Sequence, residues 1–436
     1  MKFNKIAVLL AVFSLVFALT ACGSSKTAET PAATETKTAQ STDAATTTTD
    51  DAIKPEEGAK LTVWESKEER AYTDQIAQEF TAKYGVPVTV EEVSPTDQVG
   101  KLTQDGPSGL AADVVIFPHD NLGKAVSANL ILPNDIFEKE TKEQNTEASI
   151  TGASYGGTLY GYPRSAETYA LYYNKDLVKE APTSFEQVIE ISKKLTDKSK
   201  NKYGLMWEAG NFYFTYPFFA STGGYVFGKN GTDKSDIGLN NAGALEGMKV
   251  YQSLREILPV KTGDITPDIK RGLFTSGDVA MDINGPWELA GYKQALGDKL
   301  GIAPIPTIGG KPAISFSGIK AWYVNAYTPY PNAAKLFAHF ATDKHGQLVL
   351  NEKVGSVPTN LEAQKDPQVA NDPYVSAFAE QSKNSQPMPS IPEMGNVWAP
   401  VGAALSEIWD SGKDPKAALD NAVKQIQDLN NGATAK

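Results

Sequence analysis

The sequence predicts an α/β protein, and three features near the start of its globular body carry that prediction. Residues 61–64 form a short apolar strand candidate directly after a polar stretch. Apolar or aromatic residues then recur every fourth position over residues 72–84, which predicts a helix. Residues 114–117 are all apolar, the pattern of a parallel strand that is covered on both faces. This alternation of strand and helix is typical of a layered α/β fold.

Element boundaries have their own signals. Gly85 is expected to end the first helix. Thr183 and Glu186 have the spacing of a capping box, ahead of apolar residues with helical periodicity. Asp414 precedes a proline that can start the last helix, and Gly432 is expected to end that helix. Further candidates are a strand at residues 86–90 and a helix around residues 99–102. No short internal repeat is visible, which disfavours a solenoid or a propeller.

Composition limits the functional classes. The chain has 436 residues, which favours two domain-sized units, and its 41% hydrophobic content excludes a wholly disordered chain. A net charge of −11 argues against a nucleic-acid partner, which would require a basic surface. One cysteine and three histidines leave little from which to build a disulfide or a zinc centre. We expect no metal and no cofactor.

The first residues predict export. Lys2 and Lys5 precede an apolar run over residues 6–19, which is too short for a stable membrane span. Residues 19–22, Leu-Thr-Ala-Cys, resemble the bacterial lipobox, in which the cysteine becomes the first residue and carries a lipid. The prediction is a signal peptide at 1–21 and a lipidated Cys22. A plain signal peptide with an incidental cysteine is the alternative.

The next segment is predicted to be a tether. Residues 22–59 are rich in Thr, Ala, Ser and acidic residues, and Ile53 is the only large apolar residue among them. Such a composition cannot offset the entropy cost of ordering, so we expect a disordered spacer up to Lys60.

Polar side chains follow two predicted strands. Ligands of open α/β sheets bind beyond the carboxyl ends of the strands. This rule selects Ser66, Glu69 and Arg70 after the first strand, and Asp120 and Asn121 after the third. Ordinary loop polarity is the alternative interpretation.

Aromatic residues are the second signal of a site. Trp287 follows a Gly-Pro turn, residues 212–219 are a dense aromatic run, and Trp398 follows a proline-rich segment. A sugar site needs flat rings for the apolar face of the sugar, and carboxylates or amides for its hydroxyls. Core packing is the alternative for each ring, and we assign Trp322 and Trp409 to the core.

Catalytic and metal motifs are weak. Residues 152–156 match the G-x-S-x-G string of serine hydrolases, but no buried strand precedes them. His339 lies in a helical stripe, where a catalytic base is uncommon. Residues 229–236 have acidic spacing that suggests calcium, although two lysines and a missing terminal glutamate favour a surface hairpin. We expect no catalytic residue.

Five strings of residues occur in the order and spacing of one known family: 113–120 (DVVIFPHD), 172–176 (YYNKD), 214–217 (FTYP), 283–287 (INGPW) and 388–392 (MPSIP), followed by Trp398. Through these strings the chain, from Lys60 to about Asn431, resembles the maltose/maltodextrin-binding proteins of ABC importers.

The resemblance implies a periplasmic-binding-protein-like fold, with two hinge-linked lobes built from discontinuous segments that close on a sugar. The implied N-lobe is 60–164 plus 321–367, and the C-lobe is 165–320 plus 368–436. It also implies a monomeric receptor that delivers maltose or maltodextrins to ABC permease subunits. The expected location is the outer face of the cytoplasmic membrane, through the lipid on Cys22, in a Gram-positive bacterium.

The resemblance also assigns site residues. Asp120 and Glu167 match carboxylates that bind glucose hydroxyls, and Arg70, with Glu69 beside it, matches a basic residue after the first strand. The matching apolar and aromatic surfaces are Tyr213, Trp287, Met388 and Trp398.

Three positions depart from the best-known members. Phe117 replaces a tryptophan, Asn121 an arginine and Asn211 a glutamate. The preferred sugar therefore stays open between linear maltodextrins and another oligosaccharide, such as a cyclodextrin or an isomalto-glycan. A glycoside hydrolase is the alternative from another class.

Overall fold

The computed structural model describes residues 53–433, whose backbone forms two main β-sheets with helices packed around them. The strands β1–β14 are Leu61–Glu65, Val88–Glu92, Val114–Pro118, Ile131–Leu132, Ser154–Tyr155, Thr158–Leu159, Tyr162–Glu167, Ala170–Asn174, Tyr203–Met206, Val279–Asn284, Leu300–Ala303, Ser315–Asn325, Val357–Pro358 and Ser385–Pro387. The helices α1–α19 are Arg70–Tyr84, Gln98–Asp105, Leu122–Ser127, Glu138–Gln144, Glu147–Gly152, Phe185–Leu195, Phe212–Thr215, Pro217–Ala220, Gly228–Gly231, Ala242–Ser253, Pro267–Ser276, Leu289–Leu296, Pro331–Phe340, Lys344–Val354, Leu361–Lys365, Pro367–Ala370, Pro373–Ser382, Trp398–Ser411 and Pro415–Asn430. Among the described helices, none is both long and apolar enough to cross a bilayer.

The first sheet contains the strands predicted near the start of the body. Its order is β13-β7-β12-β3-β1-β2, with β4 and β14 also paired to β12. β1 runs parallel to β2 and β3, whereas β12 is antiparallel to β3 and β7. The four-residue apolar run of β3 is buried as predicted, but one of its neighbours is antiparallel.

The second sheet has the order β11-β8-β10-β9. β10 is parallel to β9 and antiparallel to β8. β7 of the first sheet ends at Glu167 and β8 of the second begins at Ala170, so the chain changes sheet within three residues. Glu167, at the first end of that crossing, lines the site described below.

Local chemistry explains where the helices begin and end. Gly85 adopts a left-handed conformation (φ 71°) and ends α1, as predicted. The cap of α6 is shifted by one residue from the prediction, because the side chain of Ser184, not Thr183, accepts a hydrogen bond from the first turn, at Gln187 N. Asp414 caps α19 in the same way, and that helix ends at Asn430, short of Gly432.

The sheets have separate apolar cores. Helices α1 and α13 pack against the first sheet, where Trp322 is fully buried. Phe117 stacks on Tyr323 on the other face of that sheet, with ring centroids 3.9 Å apart. Trp409 is buried in the core of the second sheet, and its indole donates to the Val260 carbonyl at 2.8 Å. Trp322 and Trp409 are therefore core residues, as predicted.

The body begins before Lys60, which corrects the predicted tether boundary. Ile53 packs against the core beside α1 and α13. The carboxylate of Glu56 accepts hydrogen bonds from the backbone N–H groups of Asn332 and Ala333, at 2.7 and 3.1 Å, in the first turn of α13. This carboxylate satisfies donors that a helix start leaves unpaired. The signal peptide, Cys22 and the rest of the tether lie outside the described residues.

Candidate functional site

A cavity of about 520 Å³ opens between elements of the two sheets. The first sheet contributes the turn after β1, the short helical turn after β3, the end of β7 and the middle of β12. From the second side come α7, the turn after β10, the segment after β14 and the start of α18. The lining residues are Ser66, Glu68, Pro95, Thr96, Pro118, Asp120, Asn121, Glu167, Asn211, Tyr213, Phe214, Trp287, Gly318, Lys320, Met388 and Trp398.

Most of the residues selected from the sequence meet in this cavity. Those that line it are Ser66, Asp120, Asn121, Glu167, Asn211, Tyr213, Trp287, Met388 and Trp398. They come from segments far apart in sequence, so the fold has brought together the polar and aromatic signals. The combination is that of a site with ring surfaces and convergent polar groups.

Two predicted residues, Glu69 and Arg70, do not line the cavity, and this corrects their predicted place. Glu69 is fully buried beneath it. Arg70 starts α1 and pairs with Asp74 and Glu92, at 3.2 and 3.4 Å, away from the lining. The carboxylate of this turn that lines the cavity, together with Ser66, is that of Glu68, one position earlier than the resemblance suggests.

Sequence reasoning missed several other lining residues. They are Pro95, Thr96, Pro118, Phe214, Gly318 and Lys320, besides Glu68. Lys320 had a readable signal, because it is a single cation within an otherwise apolar stretch of β12, from Ile319 to Trp322. A lone lysine in a buried strand requires a partner.

Asp120 lies in the helical turn after β3 and is only 6% exposed. Burial raises the pKa of its carboxyl to about 7, against the opposing effect of hydrogen bonds from its own backbone, Trp398 and Asn121. The Asn121 amide donates to Asp120 Oδ2 at 3.2 Å. Asp120 thus offers an acceptor whose charge changes near neutral pH.

A buried charge network forms the floor of the cavity. Arg164 on β7 pairs with Glu65 at 2.5 Å and with Glu69. Lys320 on β12 joins Glu69 to Glu167, with Nζ–O distances of 3.1 and 2.8 Å. Burial raises the pKa of Glu167 while Lys320 opposes that rise, whereas Arg164 and Lys320 outweigh burial at Glu69 and lower its pKa. Of the carboxylates in this network, Glu167 is the one that lines the cavity.

Close backbone approach sets the orientation of Trp287. Its ring folds back over Gly285, where an added Cβ would come within 2.1 Å of the indole. Only glycine fits beneath the ring. Tyr213 lies 6.5 Å from this ring, centroid to centroid, and the two half-buried aromatic residues form one wall. Trp398 packs on Phe212 at 5.8 Å, near the Asp120 side of the cavity.

Asn211 lines the cavity but its amide is engaged within its own turn. Its oxygen accepts from Tyr213 N at 3.0 Å, which caps α7, and its nitrogen donates to Glu208 at 3.0 Å. Asn211 therefore positions Tyr213.

Met388 is held by a buried histidine. The backbone N–H of Ile319 donates to His119 Nδ1 at 3.1 Å, so Nε2 carries the proton and donates to the Met388 carbonyl at 2.9 Å. Burial lowers the pKa of His119 to about 4, which keeps the ring neutral in this bridge. His119 joins the first sheet to the Met388 segment.

An ion pair crosses the cavity rim. Arg271 on α11 contacts Glu68 of the β1 turn at 2.8 Å and Glu288 at 2.6 Å. Glu68 follows β1 of the first sheet, whereas Glu288 follows β10 of the second. The pair connects the two sides of the site.

A more open depression of about 640 Å³ lies beside Tyr155 and residues 391–393. The charged groups around it pair with one another, Lys229 with Asp233 at 3.0 Å and Lys234 with Glu393 at 2.6 Å. It has fewer aromatic surfaces than the cavity described above, so that cavity is the better candidate site.

The alternative motifs have ordinary structural roles. Ser154 of the G-x-S-x-G string lies in the two-residue strand β5, and its hydroxyl donates to the Ile150 carbonyl at 2.7 Å, so no strand–turn–helix elbow forms there. His339 is buried on α13 and stacks on Phe137, with ring centroids 4.0 Å apart. Over residues 53–433, no group of three or more His, Cys, Asp or Glu side chains is arranged to hold a metal ion.

Comparison with known proteins gives the family and the fold. Residues 75–377 match the model of the bacterial extracellular solute-binding proteins. The Thermus thermophilus maltotriose-binding protein, solved with maltotriose, superimposes with a TM-score of 0.79 at 30% identity, over 85% of this chain and 99% of that chain. The expected two-lobed α/β fold is confirmed.

Two curated relatives cover most of the sequence. A galactooligosaccharide-binding protein of Bacillus subtilis is 33% identical over 84% of this chain and 88% of its own length. A maltooligosaccharide ABC transporter solute-binding lipoprotein of Streptococcus pneumoniae is 32% identical over 98% of this chain and 97% of its own length. With a family model that covers more than half of its residues and relatives of this identity, the chain belongs to the bacterial extracellular solute-binding proteins.

Proposed function

We propose that this chain is the receptor of a carbohydrate ABC importer and binds maltose or maltodextrins in the cavity between its two sheets. The observation that carries the proposal is that Asp120 and Glu167 share one cavity with the rings of Tyr213, Trp287 and Trp398. A volume of about 520 Å³ is within the range of pockets that enclose small organic ligands.

The arrangement fits the two surfaces of a glucose ring. The apolar C–H face can stack on Trp287 or Trp398, while the equatorial hydroxyls donate hydrogen bonds to Asp120 and Glu167. Met388 supplies an apolar edge. No lining residue has to form a covalent bond with the sugar for this function, so we propose binding without catalysis.

We propose that the lobes follow the boundaries implied by the sequence, 60–164 plus 321–367 and 165–320 plus 368–436. The crossing between β7 and β8 supports a hinge near Glu167. Asp120, from the first side, already lies within hydrogen-bonding reach of Trp398, from the second, so a closed arrangement would hold both against the ligand. A monomer suffices, since each lining residue belongs to this one chain.

The transport context is proposed from the relatives and the leader. The pneumococcal relative is described as an ABC transporter lipoprotein, and Cys22 lies where a lipobox cysteine would be. We propose that a lipid on Cys22 holds the receptor at the outer face of the cytoplasmic membrane of a Gram-positive bacterium, where it delivers sugar to the permease.

A different oligosaccharide is the second candidate ligand, favoured by the galactooligosaccharide-binding relative. Asn121 and Asn211 stand where the resemblance expects charged residues, and Asn211 is occupied with capping α7. Those positions distinguish this cavity from that of the best-known maltose binders.

Tryptophan emission provides the direct test of the site. Because Trp287 and Trp398 line the cavity, saturating maltotriose should change the emission of the purified protein along a single-site curve. An emission spectrum that is unchanged at every maltotriose concentration, together with a galactooligosaccharide response, would favour the second candidate.

Product analysis tests the hydrolase alternative. A glycosidase requires two carboxyls about 5–10 Å apart across one glycosidic bond. Incubation with maltotetraose should leave the sugar intact. Release of glucose or maltose by pure protein would contradict the proposal.

A further inference from the structure

Lys320 is the one base among the described residues that line the cavity. It lies in the middle of β12 and is only 5% exposed. Its ammonium is directed toward the site: Nζ lies 2.8 Å from Glu167 Oε1 and 5.6 Å from the centre of the Trp287 ring. A lysine between a carboxylate and an aromatic wall is placed to contact whatever fills the cavity.

The contacts of the Lys320 ammonium within the protein leave one of its N–H donors available to a ligand. Lys320 Nζ also bonds both oxygens of Glu69, at 3.1 and 3.2 Å, so these two contacts converge on one carboxylate. A protonated amine has three donors and no acceptor. The two Glu69 oxygens can share one bifurcated N–H donor. With a second donor directed at Glu167, the third can then serve a ligand in the cavity that Lys320 lines.

The charges around Glu167 make Lys320 its main counterion. The groups that face Glu167 are Lys320 from β12, Glu69 from the turn after β1, Arg164 and Ser165 from its own strand, and Tyr213 from α7. Arg164 is committed to Glu65 and Glu69. Burial and the charge of Glu69 raise the pKa of Glu167, and Lys320 is the largest opposing influence.

We propose that Lys320 is a ligand-binding residue of this site: its ammonium fixes the Glu167 carboxylate and, with it, forms a paired donor and acceptor for two neighbouring sugar hydroxyls. Each hydroxyl can donate one hydrogen bond and accept others. Neighbouring hydroxyls of a pyranose can therefore donate to Glu167 and accept from Lys320 at the same time. The inference rests on the proposed function and adds to it a residue that selects adjacent hydroxyl groups.

The competing explanation is that Lys320 only neutralises buried acids. In that case its removal would destabilise the fold, since an uncompensated buried charge is costly, and would leave affinity unchanged in the protein that still folds. The two explanations differ in the affinity at the highest pH, where carboxylates are most fully ionised. Loss of a ligand-binding Lys320 removes a donor and weakens binding there, whereas loss of a merely neutralising Lys320 leaves that affinity unchanged. In either case the loss raises the pKa of Glu167 further, so the acceptor becomes protonated at higher pH.

The test is a calorimetric titration of maltotriose into the wild type and Lys320→Met at several values between about pH 5.5 and 8.5, with a thermal melt of each protein. We expect Lys320→Met to bind about 10- to 100-fold more weakly at the highest pH, the scale of losing a charged hydrogen bond. Its affinity should also begin to fall at a higher pH than that of the wild type.

Two further variants separate affinity from stability. Lys335→Met removes another nearly buried lysine, which lies on α13 and outside the lining of the cavity. Lys335 pairs with Asp135 at 2.5 Å. Lys335→Met should melt lower and bind maltotriose as the wild type does. The double variant Lys320→Met with Glu167→Gln removes both members of the pair. It should bind maltotriose weakly, and its affinity should not show the fall at higher pH that is expected of Lys320→Met.

Each outcome either supports or overturns the role of Lys320 in ligand binding. Undiminished affinity of folded Lys320→Met at the highest pH would overturn the role of Lys320. If Lys320→Met does not fold, the double variant is compared with Glu167→Gln alone, and equal affinity of those two proteins overturns the proposal. A wild type that does not bind maltotriose would instead overturn the proposed function, and the inference with it.

Discussion

Among the individual residues, Asp120 leads to a first prediction, that the affinity for maltotriose depends on pH. Sugar hydroxyls donate more strongly to a carboxylate than to a neutral carboxyl, so binding favours the ionised form. Since burial raises the pKa of Asp120 to about 7, lowering the pH from about 8 to 5.5 should weaken maltotriose binding, by up to about tenfold per pH unit below that pKa. Calorimetry across this range measures the effect.

The matched variant is Asp120→Asn, which cannot titrate. It should bind more weakly at high pH and have a shallower pH dependence, with the remaining slope assigned to Glu167. The sign for stability is opposite: because the folded-state pKa is raised, this group's contribution to the free energy of unfolding is lost as pH rises through about 7. An Asp120→Asn protein with the full wild-type pH slope would contradict the assignment.

Two tryptophans provide a second prediction. Trp398 is half-buried in the cavity lining, whereas Trp409 is 2% exposed in the core. Trp398→Ala should weaken maltotriose binding by about 1–3 kcal/mol, or about 5- to 150-fold in dissociation constant. Trp409→Ala should leave affinity nearly unchanged and lower the free energy of unfolding by about 3–5 kcal/mol. Titration and thermal melts of both variants decide; the reverse pattern would move Trp398 into the core.

The sequence predicted which residue types meet in the cavity better than which atoms face it. The tryptophans after the Gly-Pro and proline-rich segments could be proposed as site residues because a sugar site needs flat rings on which the sugar can stack. Glu69 and Arg70 could not be placed correctly, because a one-residue difference in a turn decides whether a carboxylate faces the cavity or the network beneath it. Lys320 was missed because its partners, Glu69 and Glu167, are distant in sequence.

At the scale of elements, the turn after β10 yields a third prediction. Gly285→Ala would place a Cβ against the Trp287 ring and displace it from the aromatic wall. We expect a loss of about 1–3 kcal/mol in maltotriose binding or stability, the usual cost of overpacking. Titration and melting of the variant measure both.

A second glycine provides the control. Gly291 is exposed within α12, and a Cβ there would meet nothing within 4 Å. Gly291→Ala should leave affinity unchanged and raise the free energy of unfolding by about 0.5–1 kcal/mol. If Gly285→Ala behaved like Gly291→Ala, the turn would not set the orientation of Trp287.

Elements with strong periodicity were predictable, and their exact ends were less so. The four-residue spacing of apolar residues in α1 and the apolar run of β3 were sufficient to predict these two elements, because each pattern reflects the burial of one helix face or of a strand. The α6 cap fell on Ser184 instead of Thr183, since neighbouring Ser and Thr can both cap and tertiary packing selects one. β12 could not be predicted as the centre of the first sheet, because its pairing with β3 and β7 joins distant segments.

At the scale of the whole molecule, anchoring and binding should be separable. The cavity lies entirely within the described body, whereas Cys22 precedes it by more than thirty residues. Cys22→Ala should release the protein from the membrane fraction, because a diacylated cysteine gives stable anchoring that the rest of the leader does not replace. Maltotriose affinity should stay the same. Retention of the variant in membranes after a high-salt wash would contradict the lipid anchor.

The point at which the chain passes from the first sheet to the second could not be predicted from the residue patterns. Residue patterns indicated α/β layers, but composition did not reveal where one lobe passes to the other. The structure shows that the chain crosses between β7 and β8, a connection too short to carry its own compositional signal.

We propose that this body binds a linear α-glucan in the cavity that holds Asp120, Glu167, Trp287 and Trp398. Calorimetric titration of the purified chain can test this with maltotriose, maltotetraose, a cyclodextrin, an isomaltooligosaccharide and a galactooligosaccharide of matched length. We predict one-to-one binding that is strongest for the linear maltodextrins and is weakened in Trp398→Ala. Tighter binding of the galactooligosaccharide, or maltodextrin binding that Trp398→Ala leaves unchanged, would contradict it.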